Sequence, residues 1–485
     1  MSQALDADGG AARRPLVVDL DGTLIATDTL WECLVVLLRQ RPWDVVRSPL
    51  WLAGGRASFK RRVAERVSLD ASTLPYREEL IAFLQQERGR GRAVYLATAC
   101  DERIAGPIAD HLALFDGVLA SDGTRNLAGR RKADALRREH AESGFDYVGN
   151  ARDDLPVWEA SRTAYAVAPR RGVLRRLRAL RDPARIFAAG GTRWRDVLRA
   201  LRPHQWAKNL LIFVPVALTP YAAKDPDRLV AALLAFVAFC LCASAGYVLN
   251  DLLDLEADRR HPAKRSRPFA LGTIPIPFGF GLFAALALSA FVVAWLGTPR
   301  AFPPLLGLYL VSTMTYSIYV KRLLMLDVIV LAGLYTLRVI AGAAAVSLTP
   351  TPWLLAFSLF IFLSLAFAKR YSELSLMAAR DETWARRRAY HVGDLDLVLM
   401  LGSSSGYLSV LVLCLYISSD HVQQLYHRVE ILWLLCPLLL YWISRIWFLA
   451  KRGDLPGDPV AFAVRDPASL ATGVLSASVV LAAVL

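Results

Sequence analysis

Beyond residue 208 the chain runs through nine apolar stretches, near 209–223, 229–249, 276–297, 301–319, 325–345, 352–368, 397–417, 429–450 and 467–485. Crossing the hydrocarbon core of a bilayer takes about 20 apolar residues in a helix. Most of the stretches are that long, and the first is short. They predict an all-α polytopic membrane bundle of about nine transmembrane helices over 201–485. With the N-terminus inside, the inside connections 251–268, 320–326, 369–396 and 450–466 carry sixteen Lys and Arg. The outside connections 222–228, 297–301, 346–352 and 418–428 carry four. Positive charge is retained on the cytoplasmic side, so this asymmetry supports the orientation and puts the C-terminus outside.

The first 200 residues are different: basic, dense in Arg, and without the apolar run of a signal peptide, so they are expected in the cytosol. A formal net charge of +14 suits either nucleic acid or an anionic membrane surface. No nucleic-acid motif or basic-aromatic interleaving is present, so the partner expected is anionic membrane lipid, not nucleic acid. The six cysteines form no CxxC pair, and four lie in apolar runs, which argues against a disulfide framework or a zinc site.

Within 1–170, the short apolar runs 16–20, 93–99, 117–121, 147–151 and 165–169 alternate with charged, helix-compatible stretches. That alternation predicts an α/β domain with a parallel sheet, and the insertion at about 30–88 reads as a helical cap. Residues 171–200 read as a basic linker or an interfacial helix, with Leu174, Leu177, Leu180 and Phe187 interleaving the arginines.

The first strand runs into Asp19-Leu20-Asp21-Gly22-Thr23. Two carboxylates two residues apart at a strand end can share one phosphoryl group: Asp19 attacks, and Asp21 protonates the leaving oxygen and then activates water. Thr98 ends the next strand and can bond a phosphate oxygen, and Lys132 can neutralise a phosphoaspartyl charge. The run Gly149-Asn150-Ala151-Arg152-Asp153-Asp154 offers oxygen ligands for Mg²⁺, with Asp19 completing the set. Together, and in this order, these motifs resemble the haloacid-dehalogenase (HAD) superfamily, with a cap like that of its phosphoserine-phosphatase-type members. The resemblance implies a Rossmannoid sheet and phosphohydrolase chemistry. Asn150 stands where many members have Asp, which shifts the expected metal charge to Asp153 or Asp154.

At the inner end of the second apolar stretch stands Asn250-Asp251-Leu252-Leu253-Asp254-Leu255-Glu256-Ala257-Asp258. On a helix Asp251, Asp254 and Asp258 share an arc of about 60°. Three such carboxylates repel unless a cation sits among them, and a diphosphate-bound Mg²⁺ cluster would supply it. Arg259, Arg260, Lys264 and Arg267 follow and suit a phosphate-rich substrate. The string resembles the first acidic motif of the UbiA superfamily. Where typical members carry a second acidic motif, this chain has Lys369-Arg370-Tyr371-Ser372-Glu373. That departure, the segment 201–209 containing Lys208, and 458–463 resemble the decaprenyl-phosphate phosphoribosyltransferase branch. The resemblance implies transfer of 5-phosphoribose from phosphoribosyl pyrophosphate to a polyprenyl phosphate, with Asn250, Arg338, Lys369, Arg370 and Glu373 also at the substrate. The fused HAD domain is expected to remove the 5-phosphate from the product. The alternatives are an ordinary UbiA prenyltransferase acting on an aromatic acceptor, and a non-catalytic HAD domain on a lipid-binding membrane protein. Arg338 and Asp327 lie inside the fifth stretch, where ionisable groups are costly and either line a cavity or pair. The expected location is the inner (plasma) membrane.

Overall fold

A computed structural model of the chain describes residues 14–188, 192–379, 389–419, 422, 426–455 and 457–484. It divides into two compact units: Met1–Ala200 with Asp251–Gly281, and Leu201–Asn250 with Leu282–Leu485. The expected inside connection 369–396 is described only in part, since 380–388 lie outside the described residues, as do 420–421 and 423–425 of the expected outside connection 418–428.

In the first unit, strands β1 (Leu16–Val18), β2 (Val94–Asp101), β3 (Gly117–Ser121), β4 (Asp146–Gly149), β5 (Ala164–Val167) and β6 (Arg185–Phe187) form one parallel sheet in the order β3-β2-β1-β4-β5-β6. The first five are the runs anticipated from the sequence. Three helices, α1 (Thr29–Gln40), α2 (Pro42–Trp51) and α3 (Gly55–Ala64), make up most of the insertion after β1. Helices α4 (Glu78–Gly89), α5 (Glu102–Leu112), α6 (Arg130–Glu139), α7 (Leu155–Ala160) and α8 (Arg171–Leu180) separate the later strands.

The segment read as a linker or interfacial helix behaves differently from that expectation. It supplies α8 and β6, and its Leu177 and Phe187 are buried in the cores that flank the sheet. Those apolar residues therefore face protein and not headgroups. Large apolar side chains stay exposed at Leu180 of α8, at Ile186 of β6, and at Trp194 and Leu198 of the last piece, α9 (Trp194–Leu201).

Among the described residues seven helices are long and apolar enough to cross a membrane: Pro226–Leu253, Ile276–Gly297, Leu326–Ala345, Pro352–Ala378, Val392–Ile417, Val429–Arg452 and Pro467–Val484. The nine expected spans are thus not all present as such helices. Phe302–Ile318 has only 17 residues. The stretch 209–223 is broken into a 3-10 segment, Pro203–Phe213, and two short helices, Val214–Ala217 and Pro220–Ala223. Pro215 accounts for the break after Phe213, because proline lacks the amide proton a helix interior needs and its ring clashes with the preceding turn.

The 3-10 segment lies directly against helix Leu326–Ala345. A Cβ built on Gly342 would stand 2.2 Å from the Ile212 carbonyl oxygen, whereas one on Gly333 of the same helix meets nothing within 4 Å. Gly342→Ala should therefore lower the thermal unfolding midpoint in detergent, by the about 1–3 kcal/mol typical of overpacking. Gly333→Ala should leave it unchanged or raise it slightly, since alanine is the better helix former. Equal midpoints for the two variants would contradict the close approach.

Candidate functional site

Three clusters of polar side chains are built from residues singled out above. The first lies at the C-terminal ends of β1, β2 and β4, where parallel sheets place their ligands. Lys132 Nζ donates to Asp19 Oδ1 at 2.7 Å and to the Tyr147 hydroxyl at 3.0 Å, and Thr23 donates to Asp19 Oδ2 at 3.1 Å. Asp21 Oδ1 accepts from the Thr29 amide at 2.7 Å, which ties the motif to the start of α1. Burial raises Asp19 to about 6, with Lys132 opposing the rise. Burial, then the nearby Asp28 carboxylate, raises Asp21 to about 7. Burial pushes both carboxyls toward the protonated form, and the Lys132 ammonium beside Asp19 favours the ionised form that a nucleophile needs. Thr98 is buried, and its hydroxyl accepts from the Cys100 amide.

Gly22 is at φ +74°, and a Cβ there would fall 2.2 Å from Asn150 Nδ2, so only glycine brings the two loops this close. The metal-ligating residues are arranged differently from the sequence expectation. Asp153 is exposed. Asp154 is buried, with Oδ1 accepting from Tyr147 at 2.7 Å and Oδ2 from the amides of Asn150 and Ala151, each at 2.9 Å. It organises the loop and has little capacity left for a metal. Asn150 Oδ1, in contrast, is buried and has no hydrogen-bond partner among the described residues. A buried carbonyl oxygen left unpaired beside Gly22 and the Asp19 loop fits a hard cation such as Mg²⁺, which takes oxygen ligands.

The second cluster is the acidic motif, which continues from helix Pro226–Leu253 and groups with the sheet-bearing unit from Asp251 onward. Arg267 Nη1 lies 3.0 Å from Asp251 Oδ1 and 2.5 Å from Asp258 Oδ2, and both carboxylates are buried. Burial, opposed by Arg267, raises Asp258. The cation that three clustered carboxylates demand is therefore supplied, for two of them, by the chain itself. Asp254 is half-buried at the N-cap of the short helix Leu255–Arg260. Among the described residues no group of three acidic, His or Cys side chains is placed to hold a metal. As arranged here, the motif does not fit a Mg²⁺ cluster.

Two of the expected phosphate contacts have other partners. Arg259 makes a bidentate pair with Glu32 of α1, at 2.6 and 3.1 Å, and its Nε donates to the Ala270 carbonyl at 3.0 Å. Arg260 pairs with Asp70 and, at 2.8 Å, with Glu256. Lys264 is exposed, and Asn250 is half-buried at the end of its helix.

The third cluster lies in the second unit. Lys208, on the 3-10 segment, and Lys369, on helix Pro352–Ala378, both pair with Asp458, Lys369 at 3.6 Å. Burial lowers Lys208 to about 8, with Asp458 opposing and Lys369 adding to the fall. Burial would raise Asp458, but Lys369 and Lys208 outweigh it and hold the carboxyl well below its usual range. Arg338 is buried, donating to Asn209 Oδ1 at 2.9 Å, the Tyr309 hydroxyl at 2.8 Å and the Leu334 carbonyl at 2.7 Å. Its guanidinium also lies over the rings of Tyr309 and Tyr335, 4.7 and 5.4 Å from their centroids. All of these partners are neutral, so of the two outcomes weighed for Arg338 the acid pair is not the one formed among the described residues.

That pair belongs instead to Arg370, which is 1 % exposed. Its Nε meets Asp327 Oδ2 at 2.6 Å, and Glu373 and the Tyr316 hydroxyl take its remaining nitrogens. Tyr390 donates to Asp327 Oδ1 at 2.8 Å. Arg370 and Glu373 are thus paired with each other, and Arg370 also with Asp327 and Tyr316. Asp458, Asn209, Tyr309 and Tyr335 were missed as site residues from the sequence. Asn209 and Asp458 lay in the segments 201–209 and 458–463 that carried the family resemblance, but without a role of their own, and the tyrosines gave no signal beyond ordinary core aromatics. Removing one member of a buried pair costs about 3–5 kcal/mol, because the other charge is left uncompensated. Asp327→Asn should therefore destabilise the protein by about that much in denaturant titrations. Asp327→Leu with Arg370→Met should recover most of the loss, and failure of the double variant to recover would point away from a simple pair.

Comparisons with known proteins match two parts of the chain to two families. The profile of the UbiA prenyltransferase family matches residues 210–465, and that of the haloacid dehalogenase-like hydrolases matches residues 16–159. Uncharacterized protein y4nM of Sinorhizobium fredii is 37% identical over 479 residues, covering 98% of this chain and 92% of that protein. Nodulation protein NoeC of Azorhizobium caulinodans is 38% identical over 272 residues, 56% of this chain and 87% of that one. The decaprenyl-phosphate phosphoribosyltransferase of Corynebacterium glutamicum is 34% identical over 198 residues, 40% of this chain and 58% of that enzyme. The chain belongs to the UbiA prenyltransferase family and carries a haloacid dehalogenase-like domain ahead of its membrane helices.

Proposed function

We propose that the chain transfers 5-phosphoribose from phosphoribosyl pyrophosphate to a polyprenyl phosphate at the inner membrane, and that its cytoplasmic HAD domain then removes the 5-phosphate. The observation that carries the transfer half is the group of buried and half-buried cations around Asp458. Among the described residues Lys208, Lys369 and Arg338 bring three positive charges together against one carboxylate and neutral acceptors. A site with surplus positive charge in an apolar surround suits substrates that bring several phosphate charges of their own, and stabilises charge developing on a departing diphosphate. An aromatic acceptor would leave that surplus unused, which weighs against ordinary prenyl transfer. The similarity to decaprenyl-phosphate phosphoribosyltransferases supports the same choice of donor. At the acidic motif Arg267 already supplies the charge between Asp251 and Asp258, so the transfer rests on the cations of the bundle.

For the phosphatase half, Asp19 is the nucleophile, held by Lys132 and Thr23, and Asp21 is the acid and later the base. Asp19 and Asn150 would hold Mg²⁺, which supplies positive charge to the phosphate under attack. Lys132 neutralises the phosphoaspartyl group that replaces the Asp19 carboxylate.

Asp19→Asn keeps the shape of the loop but removes the attacking charge. Given phosphoribosyl pyrophosphate and polyprenyl phosphate, this variant should make the lipid-linked 5-phosphoribose and accumulate it, while the wild type carries it on to the dephosphorylated lipid. Mass spectrometry of the lipid extract separates the two by one phosphate. A wild type that also stops at the phosphorylated lipid would remove the phosphatase half of the proposal. A wild type that makes no ribosylated lipid would remove the transfer half.

A further inference from the structure

The cap carries an apolar surface that neither proposed reaction uses. On α2, Trp43, Val46 and Leu50 are 77%, 72% and 74% exposed, and Leu52 just beyond the helix is 51% exposed. Spacings of three and four residues put the first three on one helical face. No other large apolar side chain described in the sheet-bearing unit exceeds 70% exposure. The opposite side of α2 buries Ser48 and Trp51 into the cap. An uncovered face of this size in a basic setting marks an interaction surface.

Two observations identify its partner. Residues 39–66 contain eight Lys and Arg against two acidic residues. Arg41, Arg47 and Arg56 are exposed, with Arg47 on the same face as Trp43 and Leu50. A Trp and aliphatic face rimmed by arginine has the chemistry of a helix that lies in the headgroup layer of an anionic leaflet. The second observation is where this part of the chain is held. The residues that follow membrane helix Pro226–Leu253 pack on the cap: Arg259 grips Glu32 of α1, and Arg39 of α1 meets Glu256 at 3.6 Å. Only Arg41 separates α1 from α2. Trp31 of α1 also lies 6.1 Å, ring to ring, from Phe280 in membrane helix Ile276–Gly297. The cap is therefore fastened to chain segments that enter and leave the membrane.

We propose that the exposed face of α2 inserts Trp43, Val46 and Leu50 into the headgroup region of an anionic phospholipid leaflet. A phosphatase anchored this way meets phosphate groups that are themselves held at a membrane surface.

The test uses the full chain in nanodiscs, with a benzophenone amino acid in place of Trp43, Val46 or Leu50, and of Glu139 on α6 as the exposed control. After illumination in phosphatidylglycerol nanodiscs, mass spectrometry should find lipid adducts at 43, 46 and 50 at least about fivefold above those at 139. In phosphatidylcholine nanodiscs the yield at the three positions should fall about threefold or more. Adducts no greater than at 139, or chain-to-chain adducts in place of lipid ones, would overturn the proposal. Equal yields in the two lipids would overturn its anionic part. The measurement needs no substrate, so it stands or falls apart from the transferase and phosphatase readings.

Discussion

An ionised side chain inside an apolar helix bundle is costly unless something meets its charge, and the membrane half of this protein is arranged around that cost. Arg370 shows the complete solution. Asp327, Glu373 and Tyr316 take up its nitrogens, Tyr390 supports Asp327 from the other side, and Arg370 and Asp327 are both buried. Lys208, Lys369 and Arg338 show an incomplete one, with a single carboxylate for the two lysines and only neutral partners for the arginine among the described residues. The two arrangements occur within one fold. The complete one fits a structural clamp, and the open one fits a place where an anion completes the balance.

The same electrostatic demand explains the acidic motif. Asp251 and Asp258 are too close and too buried to stand alone, and Arg267, nine residues beyond Asp258, returns to sit between them. In the sheet-bearing unit Lys132 does the equivalent for Asp19 and Asp154. There the neutral Asn150 relieves the site of one more negative charge, while leaving an oxygen free for a cation. One consequence is that Asp154, read from the sequence as a metal ligand, instead fixes the backbone of the loop that presents Asn150.

Much of this was legible before any coordinates. Parallel strands buried on both faces leave unbroken apolar runs, so five of the six strands stood out. The sixth did not, because β6 is only three residues long and set in an Arg-rich stretch whose charges dominate the reading. The membrane helices were legible from length and apolarity, but those measures do not register the proline that breaks 209–223. For the sites, motifs at a strand or helix end were found because local spacing specifies them. Asp458 was not, because it reaches Lys208 across 250 positions of sequence. The partner of Arg370 was not legible for the same reason. The arginine's charge was visible, but the carboxylate that neutralises it, Asp327, lies 43 residues away on another helix.

The central claim is that the open cation cluster selects a phosphoribosyl donor and a phosphorylated lipid acceptor. The most direct measurement gives purified full-length protein, in lipid nanodiscs, a choice of substrates: labelled phosphoribosyl pyrophosphate with polyprenyl phosphate, against labelled prenyl diphosphate with an aromatic acid. The account predicts that label enters the lipid fraction only from phosphoribosyl pyrophosphate, and that Lys208→Gln lowers that transfer at least about tenfold. Prenylation of the aromatic acid, with no ribosyl transfer to the polyprenyl phosphate, would contradict it.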